Sequence, residues 1–204
     1  MTPARLESVQ LVLASASARR RAILADAGFT FVSRDPGTVE DAVTAAATPE
    51  ALALEKARVK ARAVAAALGK PAVVIGADTL VALGDEVLGK PVDRADAERI
   101  LKRLSGTRHR VITGLCLWPC AVQAAPVLEA VPTWVTMRSM SASEIRAYVD
   151  SGEADDKAGA YAIQETGDRF VRAVEGSFLN VVGFPLERFR ELLPAALAKW
   201  GFVA

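Results

Sequence analysis

The chain has 204 residues, 51% of them hydrophobic and 24% charged, enough to bury a substantial core and too apolar for a disordered chain. Lys and Arg number 25 against 24 Asp and Glu, a net charge of +1, which lacks the basic excess of a general nucleic-acid binder. Mean hydropathy is +0.24, but alanine supplies much of it and no stretch reaches the ~18 apolar residues of a membrane helix, so a soluble protein with no membrane partner is expected.

In chain order, Gln10 to Ala14 reads as a buried strand. The surrounding VQLVLASASA imitates a secretory signal only loosely, because Glu7 precedes it and Arg19-Arg20-Arg21 follow it. Ser15 or Ser17 can cap a helix that stops at Gly28. Thr48-Pro49 opens a long helix that Gly69 closes. Ala72 to Ala77 is a continuous apolar run, typical of a strand covered on both faces, and Leu80–Leu83 with Glu86–Leu88 reads as a separate hairpin around Gly84-Asp85. Asp93 caps a helix through Leu104 with Ile100, Leu101 and Leu104 on its apolar side. Val111, Thr113, Leu115 and Leu117 alternate with their neighbours as a strand, and Val131 to Met137 is another. Ser141 with Glu144 forms a capping box for a helix ending near Gly152. Ala160 to Ile163 reads as strand, and Pro185 starts a last helix with Leu186, Phe189, Leu193, Leu197 and Trp200 on one face. Helices alternate with strands early and strands crowd the middle, which predicts an α/β fold with a mixed sheet. No linker-like tract or repeat divides the chain, so one domain over residues 1–204 is expected.

Four features could carry chemistry. Ser15-Ala16-Ser17-Ala18-Arg19-Arg20 lies at a turn from strand into helix, where unpaired N–H groups and the helix dipole favour an anion. Arginines in a first turn oppose that dipole, a local cost that a bound phosphate would offset. Asp78 follows the apolar run, beyond the carboxyl end of the expected strand, where a carboxylate can hold a metal, activate water or simply end the strand. Lys56 falls on a helical stripe with Leu52, Val59 and Ala63, so it either snorkels to solvent or meets a buried anion. Gly84-Asp85-Glu86-Val87-Leu88-Gly89-Lys90-Pro91 nearly spells a P-loop, but Pro91 stands where the magnesium-binding hydroxyl belongs. Lys90 is then a phosphate ligand in another geometry or a hairpin-exit lysine.

Weaker candidates remain. Glu153, Asp155, Asp156 and Lys157 read as a solvated charge run. Gln164 could read a nucleobase amide edge or bond backbone, and His109 between two arginines reads as surface. With only Cys116, Cys120 and that one histidine, neither a Cys/His zinc site nor a disulfide framework can form, which suits a reducing cytoplasm. No Gly-x-Ser-x-Gly elbow occurs.

Leu13-Ala14-Ser15-Ala16-Ser17 with Arg19-Arg20, Glu55-Lys56-Ala57, Gly76-Ala77-Asp78-Thr79, Gly89-Lys90-Pro91, Leu104-Ser105-Gly106 and Thr113-Gly114 occur in one order. Asp156 to Gln164, then Gly176-Ser177 and Asn180-Val181-Val182-Gly183, complete the series. Across almost its whole length the chain thereby resembles the Maf-like nucleoside triphosphate pyrophosphatases. The resemblance implies a mixed, twisted sheet flanked by helices, two lobes with a central cleft, a distant similarity to inosine triphosphate pyrophosphatases, and often a homodimer. It implies hydrolysis of a nucleoside triphosphate to the monophosphate and pyrophosphate with Mg²⁺ or Mn²⁺.

By that resemblance Asp78 would hold the metal or act as general base, while Arg20, Lys56 and Lys90 would neutralise phosphate charge and Ser15 and Ser17 would cradle it. Glu40 or Asp41 would share the metal. Arg19, Thr79 and Ile163-Gln164 resemble the dTTP/UTP-cleaving branch, since a Gln amide both donates to and accepts from a pyrimidine edge. A 7-methyl-GTP or damaged-nucleotide pyrophosphatase is the alternative substrate reading, and a non-catalytic nucleotide-binding regulator of cell division the alternative class. Departures from the family pattern are Ala18 in place of Pro, the Glu40-Asp41 order, Arg108-His109, and Glu165-Thr166 after Gln164.

Overall fold

Continuous apolar runs become interior strands, and capped segments between them become helices. The computed structural model describes residues 9–164 and 166–202; Glu7 and Glu165 lie outside the described residues. In chain order the elements are β1 (Gln10–Ala14), α1 (Ala18–Asp26), β2 (Phe31–Arg34), α2 (Pro49–Ala66), β3 (Ala72–Leu83), β4 (Glu86–Leu88), α3 (Arg94–Leu104), β5 (Arg108–Cys120), β6 (Val127–Met137), α4 (Ala142–Asp150), β7 (Val171–Glu175), α5 (Phe178–Val182) and α6 (Leu186–Lys199). Short 3₁₀ turns occupy Val39–Ala42, Ala158–Ala160 and Thr166–Phe170.

The strands form one seven-stranded sheet in the order β2-β1-β3-β5-β6-β7, with β4 paired to β3. β1 runs parallel to β2 and β3, whereas β3–β4 and β6–β7 are antiparallel, so the sheet is mixed as expected. Helix starts follow the predicted chemistry. Ser17, Thr48 and Asp93 each accept a backbone N–H at the head of α1, α2 and α3, and Ser141 with Glu144 closes a full capping box on α4. Among the described residues no helix is long and apolar enough to cross a membrane.

Two compact units divide the chain. The first takes in Met1–Asp78, Thr113–Val131 and Gly183–Ala204. In it, α2 lies hard against the sheet. A Cβ on Gly76 would stand 2.2 Å from the Ala57 carbonyl oxygen, and one on Gly114 would stand 2.2 Å from that of Ala53. The contact face of α2 is therefore the alanine row Ala53, Ala57 and Ala61, all fully buried with Val12, Val74 and Cys116 nearby in the core. Helix α6 buries the face read from the sequence, with Phe189 edge-on to Phe29 and Phe184 and Trp200 Nε1 donating to the Ala125 carbonyl.

The second unit takes in Thr79–Ile112 and Pro132–Val182. Here α3 and α4 pack together, and Tyr148 and Phe170 meet edge-to-face. Asn180 of α5 donates to the Val111 carbonyl and to Thr133 Oγ1, tying that short helix to two strands.

Several expectations are corrected. The two segments read as a strand and a separate hairpin are one twelve-residue strand, β3, so Asp78 sits mid-strand rather than beyond its end. The stripe Leu52-Lys56-Val59-Ala63 is not the buried face of α2; the buried positions are Pro49, Leu52, Ala53, Ala57, Lys60, Ala61 and Val64. Ala160 to Ile163 is no strand: Gly159 and Ala160 both adopt positive φ, which breaks the extended run. His109 is fully buried, not a surface residue. Strands β2 and β7 and helix α5 carry only weak local signals and were not foreseen.

Candidate active site

In the first unit, the turn after β1 is a compact hub. Ser15 Oγ accepts from the Ser17 N–H at 3.1 Å and from Arg20 Nη1 at 3.3 Å. Ser17 Oγ caps α1 by accepting from the Arg20 N–H at 3.4 Å. Arg20 is 9% exposed, and its Nε donates to the Gly183 carbonyl at 2.9 Å. Burial pulls this guanidinium below its ordinary range; Asp78 opposes that, Arg19 adds to it, and Glu40 opposes it. Arg20 thus feels both carboxylates. Arg19 stands half-buried on the same first turn.

The carboxylates converge from two elements. The 3₁₀ turn Val39–Ala42 carries Glu40, and β3 carries Asp78. Between them stands Lys60 of α2, 7% exposed, with Nζ 2.6 Å from Asp78 Oδ1 and 2.7 Å from Glu40 Oε1. One turn earlier on the helix, Lys56 Nζ donates to the Glu40 backbone carbonyl at 3.0 Å, fixing the turn that presents Glu40. Asp41 is exposed on the same turn. The tight seating of α2 on Gly76 suits this arrangement, because it brings the Lys60 stem within reach of Asp78 on the sheet while Lys56 reaches the backbone of the turn.

The donor set suits a divalent cation. Glu40 Oε2 is buried and has no hydrogen-bond partner among the described residues, so one carboxylate oxygen is desolvated and unused. No group of three or more His, Cys, Asp or Glu among the described residues could hold a metal. Two carboxylates are nevertheless what a magnesium-type ion asks of a protein when phosphate and water supply its other oxygens.

The second unit holds the remaining expected residues: Thr79, directly after Asp78 on β3, Lys90 and Gln164. Lys90 and Gln164 are both exposed. Their segments are joined: the Gly159 N–H donates to the Gly89 carbonyl at 3.0 Å, and Gly159 abuts Val81 so closely that a Cβ would meet it at 2.9 Å. Two buried bonds anchor the segment leading to Gln164. Tyr161 Oη pairs with His109 Nε2 at 2.8 Å, and the Ala162 N–H donates to Tyr148 Oη at 3.1 Å. Burial, then Tyr148, pushes the Tyr161 phenol above its ordinary range, so it stays a neutral hydrogen-bonding group.

Lys60 and the Gly183 carbonyl were missed from the sequence. Lys60 had a readable signal, its spacing one helical turn from Lys56 beside the row of alanines. A backbone carbonyl far along the chain offers none.

A family model described as Maf-like protein matches residues 10–196. A dTTP/UTP pyrophosphatase of Anaeromyxobacter dehalogenans (strain 2CP-C) is 47% identical over 188 residues, covering 92% of this chain and 94% of that protein. A dTTP/UTP pyrophosphatase of Vibrio cholerae serotype O1 is 45% identical over 184 residues, covering 90% and 96% respectively. Among solved structures, a HAM1 protein from Coxiella burnetii aligns at a TM-score of 0.45 and 18% identity, over 92% of this chain and 99% of that one.

Proposed function

The chain belongs to the Maf-like family, and from that premise we propose that it hydrolyses dTTP and UTP to the nucleoside monophosphate and pyrophosphate. The observation that carries this reading is the meeting of Asp78, Glu40 and Lys60, with Arg20 electrostatically coupled to both carboxylates. Phosphoryl transfer asks for little covalent chemistry from a protein; it asks for positioning and for positive charge around the phosphates.

Water attacks the α-phosphorus and the bridging oxygen to the β-phosphorus departs with pyrophosphate. Asp78 orients the water and takes up its proton. Arg20 and Lys56, with Lys90 and Arg19, neutralise the polyphosphate, and the turn Ser15–Ser17 contributes hydroxyls and helix-terminal N–H groups. Gln164 and Thr79 select the base through the amide and hydroxyl groups they present. Glu40 and Asp78 would hold Mg²⁺ or Mn²⁺, which when bound supplies Lewis-acid polarisation of a phosphoryl oxygen; exposed Asp41 is left out of that set. We place the activity in one functional domain, in the cytoplasm where nucleotide pools lie, and in a homodimer, which sedimentation tests.

The experiment is pyrophosphate release by purified protein with Mg²⁺ or Mn²⁺ across a matched panel of dTTP, UTP, 7-methyl-GTP and the common purine triphosphates. Turnover of dTTP and UTP well above the others is expected, and Asp78→Asn should lower it by roughly 10²–10⁴-fold while circular dichroism stays that of the parent. Preference for 7-methyl-GTP would move the substrate assignment. Tight nucleotide binding without turnover would favour a regulator.

A further inference from the structure

We propose that Lys60 is a built-in counter-ion for Glu40 and Asp78, holding the two carboxylates together in the metal-free protein and competing with the divalent cation for them. The inference rests on the reading of that pair as the metal's carboxylates, and it gives a role to Lys60, to which that reading assigns no step. Lys60 Nζ lies 2.6 Å from Asp78 Oδ1 and 2.7 Å from Glu40 Oε1, so a single ammonium bridges groups from two separate elements. The lysine is 7% exposed, too buried for a snorkelling surface residue, and it is one of the buried positions of α2 together with Ala57 and Ala61.

Two partly buried carboxylates held close together repel each other unless a cation sits between them. Lys60 supplies one positive charge, whereas a divalent ion supplies two and can coordinate the oxygen the lysine leaves unused, Glu40 Oε2. Both cations cannot claim the same oxygens at full strength. The lysine therefore keeps the pair assembled before metal arrives and weakens metal binding when it does, which makes the metal easier to release. By linkage, whatever strengthens one occupant weakens the other.

The test compares wild type, Lys60→Met and Lys60→Arg by Mn²⁺ binding isotherms and by thermal melting with and without Mn²⁺. Lys60→Met should bind Mn²⁺ roughly tenfold more tightly than wild type, melt lower without metal, and gain more from saturating Mn²⁺ than wild type does. Lys60→Arg keeps the charge and should not gain affinity. Equal or weaker Mn²⁺ affinity in Lys60→Met overturns the proposal, as does a Lys60→Met chain that folds neither with Mn²⁺ nor without it, since metal could then not replace the lysine. Wild-type binding with no difference in Lys60→Met removes the lysine's role alone. A wild type that binds no Mn²⁺ removes the metal-site reading as well, independently of whether the chain hydrolyses nucleotides.

Discussion

The His109 ring on β5 packs edge-on to Tyr161, centroids 5.6 Å apart, and its Nδ1 is buried with no hydrogen-bond partner among the described residues. Protonation would place a second N–H where nothing accepts it, and burial pushes the imidazole down to about 4. An unfolded chain binds that proton near pH 6.5, so the unfolded state gains protons first as pH falls. The contribution is fully present above about pH 6.5, drains away between there and about pH 4, and amounts to roughly 3 kcal/mol. Melting temperatures from pH 7.5 to 4.5 should fall, and His109→Gln should flatten that slope; an unchanged slope would show that other groups set it. The position was legible. Arg108 and Arg110 point outward, with Arg108 lying 4.1 Å from the Trp134 ring centroid, and His109 is in phase with buried Val111, so the strand's alternation needed only one more period backwards. Lys60 was legible by the same kind of phase argument, yet a charged residue invites an outward reading until its two carboxylate partners, Glu40 and Asp78, are known.

Helix α2 shows what a helix must give up to bring charge to a sheet. Its contact row is alanine, and the sheet answers with Gly76 and Gly114, so backbone meets backbone without side chains between. Gly76→Ala should destabilise the protein by about 3 kcal/mol or more in urea unfolding, because a methyl group 2.2 Å from a carbonyl oxygen forces two elements apart. The same shift lengthens the Lys60–Asp78 contact, so turnover should fall with stability. Gly69→Ala is the control: open space surrounds it, and its effect should stay within about 0.5 kcal/mol. Element types with strong punctuation were readable from sequence, as Thr48-Pro49 and the Ser141–Glu144 box show. Two others resisted for physical reasons. β3 reads as two segments because Asp78 and Thr79 interrupt an apolar run, although mid-strand polar residues are what a site on a sheet requires. Ala160 to Ile163 reads as strand by composition, but the successive positive φ of Gly159 and Ala160 and the segment's bonds to His109 and Tyr148 override that propensity.

Neither unit is a contiguous stretch of chain; β3, β5 and β6 each pass from one unit into the other. That threading predicts a single calorimetric transition, and two separated transitions would count against it. Removal of residues 183–204 should leave a chain without a cooperative melt, since α6 buries Leu186, Phe189, Leu193 and Leu197 against the first unit and Arg188 pairs with Glu129 there. At this scale the sequence announced its class plainly, through alternating helices and apolar strands. It did not announce that a tail segment belongs with the head.

The bond from Arg20 to the Gly183 carbonyl spans 163 positions of sequence. During vectorial synthesis the arginine emerges early and waits for a peptide group made near the finish, so an unfinished nascent chain cannot hold that guanidinium in its final pose. Contacts of such long separation are slow to form. Polypeptides stalled before residue 183 should consequently be inert toward nucleotide, however much of the earlier sheet they have already gathered.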